Sequence, residues 1–167
     1  MIQISEHALR KYAAGAVAQM LPEGEQRQME ALFGADFSDV RIIVSRAPDH
    51  VDARAFTSGR EIHVGRGYYH PTTRCGKALI AHELTHVQQQ REGRATGSGS
   101  GVAVVYDLAL EREAEWMALR ALRGNGAPPL PPRTPQRDSP SSNFGRGGAA
   151  LQPLRLSRFE GWSRLIN

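Results

Sequence analysis

Ala81-His82-Glu83-Leu84-Thr85-His86-Val87 is the stretch on which the reading of this chain turns. Leu79, Ile80, Leu84 and Val87 recur at helical spacing, so the segment reads as a helix with one buried side. On a helix, residues i and i+4 lie one turn apart on the same face. His82 and His86 therefore aim two imidazoles at one point, as a shared metal ion requires. Glu83 stands beside that point, where a carboxylate can take a proton from a metal-bound water. His-Glu-x-x-His on a helix is the pattern of zinc metallopeptidases.

Working outward, Thr72 or Thr73 caps this helix, which is expected over residues 74–91 and is ended by Gly93. Before it, the β-branched run Val40–Val44 reads as a strand. Ala53–Thr57 and Glu61–Gly65, joined by Ser58-Gly59-Arg60, read as a hairpin. Glu61–Gly65 is expected to be an edge strand, free to pair with an extended peptide. Further upstream, an apolar stripe from Ala8 to Met20 predicts a helix over residues 5–20 with Ser5 as cap. A second helix is expected from Glu25 to Phe33, stopped by Gly34. Downstream, residues 94–101 are a Gly/Ser loop and Val102–Val105 an extended piece. Asp107 caps a helix over residues 108–122.

A zinc site with two histidines needs a third protein ligand from another element. The helix over residues 108–122 offers Glu111, Glu113 and Glu115. Glu111 and Glu113 both qualify, although they point roughly 200° apart. Glu111 has the better companion: Glu115, one turn on, can bond the far nitrogen of His82 or His86 and fix its tautomer. Glu83 then serves as general base, and the metal activates water and polarises a scissile carbonyl. Tyr68, Tyr69 and His70 precede the helix and are the candidate donors to the transition-state oxyanion. Cys75 is expected to be a packed residue rather than a ligand, and His7, His50 and His63 are expected to be surface or satisfied histidines.

Composition narrows the classes. The 167 residues, 40% of them hydrophobic, suit one domain with a real core. No apolar run is long enough to span a membrane, and the N-terminus has no secretory pattern, so neither a membrane nor a Sec signal is expected. One cysteine excludes an intramolecular disulfide and fits a reducing compartment. The net charge of +4 rests almost wholly on scattered arginines, Lys11 and Lys77 being the only lysines, and no nucleic-acid partner is expected. Residues 1–124 are expected to be the domain. Residues 125–150, rich in Pro, Gly and Ser, are read as a linker. Residues 151–167 regain apolar residues and are read as a docking amphipathic helix, and residues 127–167 as a segment that can thread over the site and inhibit it.

Four blocks occur in order: Asp36-Phe37-Ser38-Asp39-Val40-Arg41, Ala55-Phe56-Thr57-x-Gly59-x-x-Ile62, Gly76-x-x-Leu79-Ile80-Ala81-His82-Glu83-Leu84-Thr85-His86-Val87-x-Gln89-Gln90, and Leu110-Glu111-x-Glu113-Ala114-Glu115-x-Met117. Over about residues 25–123 they resemble the bacterial zincin-like eCIS core domain, linked to extracellular contractile injection systems and polymorphic toxins. The chain departs from that family at Glu115, where Asp is usual, and at Ile43, where His is frequent. The resemblance implies an α+β zincin fold: a small, mostly antiparallel sheet, an active-site helix, and a second helix that supplies the third ligand. It also implies Zn2+ on His82 and His86, Glu83 as base, and a third ligand in the Leu110–Glu115 block. The expected activity is a gluzincin-type endopeptidase acting on its own chain, a toxin or other cargo. The rival is a non-catalytic module that loads cargo into the injection tube. Either would begin in the bacterial cytoplasm and could be exported through the injection system.

Overall fold

The computed structural model describes residues 3–4, 11–12, 15–95, 102–104, 107–123 and 150–155. The chain is α+β. In order it forms β1 (Gln3–Ile4), β2 (Val17–Gln19), α1 (Glu23–Phe33), β3 (Arg41–Ser45), a 3-10 turn (Ala47–Val51), β4 (Ala53–Ser58), β5 (Glu61–Gly65), α2 (Arg74–Arg91), β6 (Val102–Val104), α3 (Leu108–Arg123) and β7 (Ala150–Arg155). One sheet runs in the order β1-β6-β7-β4-β5-β3-β2.

Its centre is the β4–β5 hairpin. Ser58 pairs with Glu61, and the first loop residue, Gly59, takes φ 60°, a turn that glycine closes without a Cβ clash. Strand alternation then sorts the side chains. Ala55, Ile62 and Val64 join the main core with Leu79, Ile80, Ala81, Leu84 and Val87 of α2. Phe56 and His63 alternate with these along the hairpin and stack on each other, ring centroids 4.5 Å apart. His63 is thus a buried histidine, and His50 stacks on Tyr12; His7 lies outside the described residues.

The sheet is mixed, where a mostly antiparallel one was expected. β3 lies parallel to β5, with Ile42 opposite Ile62, and β6 lies parallel to β7. The cause is connectivity. The chain leaves β3 through the 3-10 turn, returns as β4, and the hairpin lays β5 rather than β4 beside β3. It follows that Glu61–Gly65 is an interior strand with both sides paired, so no peptide can add there.

Two helical expectations also fail. Lys11 and Tyr12 are helical, but Gly15 takes φ 76° and Val17–Gln19 pairs antiparallel with β3; Ser5 lies outside the described residues. Ala150, expected to end the linker, and residues 151–155, expected to begin a docking helix, form a strand between β4 and β6. The linker reading of residues 125–149 and the rest of the tail fall outside the described residues. The remaining elements match: α1 ends at Gly34 (φ 65°), and Asp107 Oδ1 accepts from Ala109 N at 2.7 Å to cap α3. Among the described residues, no helix is long and apolar enough to cross a membrane.

Candidate metal centre

α2 carries the site, and its start is fixed locally. Thr73 Oγ1 accepts from Gly76 N at 3.1 Å and donates to the His70 carbonyl at 2.9 Å. A Cβ at Gly76 would lie 1.7 Å from that carbonyl oxygen, so only glycine lets the first turn seat there. Cys75 beside it is exposed rather than packed as expected. α3 packs on α2 through a stripe of Leu110, Glu111, Ala114, Met117 and Ala118, all buried.

Helical spacing and this packing bring His82, His86 and Glu111 together, with ligand atoms within 4.8 Å of one another. The two histidine Nε2 atoms are 3.1 Å apart, with rings nearly perpendicular at 86°. Glu111 Oε1 is 3.4 Å from His86 Nε2, and Oε2 is 3.7 Å from His82 Nε2. Ligands held about 2.0–2.1 Å from one tetrahedral ion are separated by roughly 3.4 Å. The three atoms therefore stand close to where such an ion would hold them, and two imidazoles with a carboxylate are donors that fit it.

His86 has a defined tautomer. Gln89 Nε2 donates to the Leu110 carbonyl at 2.9 Å and to Glu113 Oε2 at 3.1 Å. Both partners are acceptors, so the amide orientation is fixed and its Oε1 must receive a proton. His86 Nδ1, 2.8 Å away, supplies it. The Nε2 lone pair then faces His82 and Glu111. Burial holds the imidazole pKa down to about 4, opposed by the Gln89 bond and the Glu113 charge, so His86 is neutral near pH 7.

Glu113 turns elsewhere. It pairs with Arg94 through both carboxylate oxygens and receives Gln89. The geometry thus brings Glu111, not Glu113, to the histidines. Glu115 is half-buried one turn beyond Glu111. Tyr68 lies under the Arg54 guanidinium, Tyr69 packs against the core, and the His70 ring bonds the Gly67 carbonyl.

Glu83 is held from the sheet. Thr57 on β4 donates to Glu83 Oε2 at 2.7 Å, and its hydroxyl lies 3.1 Å from the Glu83 main-chain carbonyl. Oε1 is buried with no hydrogen-bond partner among the described residues. Burial raises the carboxyl pKa well above the usual range; the Thr57 bond opposes this and the Glu111 charge adds to it. A buried carboxylate with a raised pKa and one open oxygen is suited to receive and return a proton. Thr57 and Gln89 both stand in the quoted sequence blocks, but their roles depend on other elements: Thr57 reaches Glu83 from β4, and Gln89, on the same helix as His86, is oriented by Leu110 and Glu113 of α3.

Residues 20–94 match a family model. It is the eCIS core domain. No curated protein and no solved structure matches the chain. The eCIS core match spans α1, β3, β4, β5 and α2, and so includes Thr57, His82, Glu83, His86 and Gln89. It ends at Arg94, short of the Leu110–Glu115 block that the sequence resemblance took in. Glu111 and β7 come from outside it.

Proposed function

We propose that the chain is a zinc-dependent endopeptidase of gluzincin type with a zincin-like fold, acting on its own chain or on toxin or other cargo of a contractile injection system. One observation carries this: His82, His86 and Glu111 converge at ligand distances while Glu83 is held beside them by Thr57 with an oxygen to spare. Bound zinc would lower the pKa of a water and polarise a peptide carbonyl. The chain's own residues do the rest. Gln89 keeps the proton on His86 Nδ1, leaving Nε2 free as a donor atom. Thr57 fixes one Glu83 oxygen so that the other accepts a proton from water and returns it to the leaving amine. The eCIS core match supports an association with injection-system components.

The test is zinc content and peptide cleavage by the full chain, with Glu83→Gln beside it. One equivalent of zinc, with cleavage lost in Glu83→Gln, is expected. A chain that takes up no zinc after reconstitution, or a variant that cleaves like wild type, would overturn the assignment.

A second reading is a non-catalytic zincin-like module for cargo loading. It is favoured by enclosure, since His82, Glu83 and His86 are 0% exposed and Glu111 1%. A zinc-loaded chain that cleaves no peptide under any condition would support it.

A further inference from the structure

A peptidase site must admit an extended peptide, and in this state it is closed. The strand nearest its chemistry is β4, whose Thr57 side chain holds Glu83. Along one side β4 is taken by β5; along the other, by β7. Without β7, β4 would be an edge strand presenting unpaired main-chain groups beside the general base, the arrangement that recruits an extended peptide by strand addition.

β7 sits there as such a peptide would. It is antiparallel to β4, with Ser58 opposite Leu151, Thr57 opposite Gln152, Phe56 opposite Pro153 and Ala55 opposite Leu154. The residue that grips Glu83 by its hydroxyl is thus the one that pairs with Gln152 along the backbone. The ladder is imperfect in two places. Pro153 has no N–H to donate, and the register shifts between Ala53 and Ala55. A peptide with a full set of N–H groups would pair better, residue for residue. What favours β7 is its tether: it belongs to the same chain, so its pairing with β4 is an intramolecular event.

We propose that Ala150–Arg155 is a self-inhibitory strand that occupies the peptide-binding edge of β4 and must leave before a substrate or cargo peptide can bind. The inference rests on the peptidase reading for the identity of the site. Release has a signature of its own, because β6 and β1 join the sheet only through β7 among the described strands. When β7 leaves, β6 and β1 lose their place, while β4–β5–β3 and α2 stay folded.

The experiment uses the full chain carrying Glu83→Gln, so that nothing is cleaved, with and without the pair Gln152→Pro and Leu154→Pro. The probe is the fluorescently labelled peptide Ala-Leu-Gln-Pro-Leu-Arg, followed by anisotropy, with hydrogen exchange alongside. The proline pair should bind the probe at least roughly ten-fold tighter than its parent. Its β4 and β6 amides should exchange faster while α2 and β3 amides keep their protection, and the probe should restore protection to β4. In a second chain, a site for a specific protease is placed within residues 124–149, and cutting there should raise probe affinity in the same way. Equal probe affinity before and after cutting overturns the proposal. So does unchanged β4 protection in the proline pair. If the prolines unfold α2 as well, the cut chain alone decides, a gain supporting the inference and no gain ending it. Binding and exchange are read without zinc or turnover, so the peptidase reading can fail while this one stands.

Discussion

Gln89 is the residue whose removal tests most of the site at once. Its side chain is fully buried and joins α2 to α3: it accepts from His86 Nδ1 at 2.8 Å and donates to Leu110 O at 2.9 Å and Glu113 at 3.1 Å. Gln89→Leu keeps the bulk and removes every bond. Glu113 retains Arg94 and the Leu110 carbonyl its place in the helix ladder, but the His86 N–H is left buried and unpaired. With each hydrogen bond worth ~1 kcal/mol and each stranded group costing ~1–3, a loss of about 2–4 kcal/mol is expected. At about 2–4 °C per kcal/mol for a chain of this size, the metal-free Tm should fall by roughly 5–15 °C. Zinc affinity, measured by chelator competition, should weaken by about 10–100-fold, because the imidazole loses the partner that orients it. Gln89→Glu separates the two effects. A carboxylate still accepts from His86 but cannot donate to Leu110, so stability should fall while zinc affinity holds. Wild-type melting and wild-type zinc affinity in Gln89→Leu would refute this account of the tautomer and of the helix link.

Other expectations follow from single contacts. Glu111→Gln should weaken zinc binding at least ~10-fold, whereas Glu113→Gln should leave it within about two-fold and lower Tm only; equal losses in the two would put the third ligand in question. Thr57→Val should bind zinc normally yet cleave about 10–100-fold more slowly, since only the positioning of Glu83 is lost; unaltered turnover would remove Thr57 from the mechanism. Gly76→Ala should cost about 2–3 kcal/mol through the clash with the His70 carbonyl, seen in denaturant melts. His63 is buried on Phe56, and burial lowers its pKa from 6.5 to about 4. The unfolded chain binds that proton first, so stability is whole above pH 6.5 and is lost as pH falls towards 4, by about 3 kcal/mol. His63→Leu should remove its share of that slope and leave the share of His86, whose pKa burial also lowers to about 4; an unchanged pH slope would exclude His63 as a source.

What the sequence made legible was local. α2 announces itself by periodicity, cap and Gly93, and the β4–β5 hairpin by Gly59 between two alternating runs. Glu111 could have been preferred over Glu113 outright, because it falls in the Leu110–Ala114–Met117–Ala118 stripe that α3 buries. The failures were of pairing. Val17–Gln19 continues an apolar stripe of helical spacing, yet past Gly15 it gains more by bonding the outer side of β3. Leu151 and Leu154 also have helical spacing, but β4 offers them an open edge, and Pro153 was a warning against a helix. Nothing in Glu61–Gly65 itself says that a parallel strand twenty residues upstream will close its far side. The roles of Gln89 and Thr57 are legible only when α3 and β4 are already in place.

The candidate ligand set is divided between two helices, His82 and His86 on α2 and Glu111 on α3, with the eCIS core match ending between them. An ion bound there would cross-link the helices, so metal supply and folding become thermodynamically linked. At a free zinc concentration one hundred times the Kd, the folded state would gain about 2.7 kcal/mol, and it would lose that gain to a chelator. The chain would be hardest to unravel where zinc is plentiful and easiest where it is scarce. A Tm that does not climb with the logarithm of free zinc would break this link.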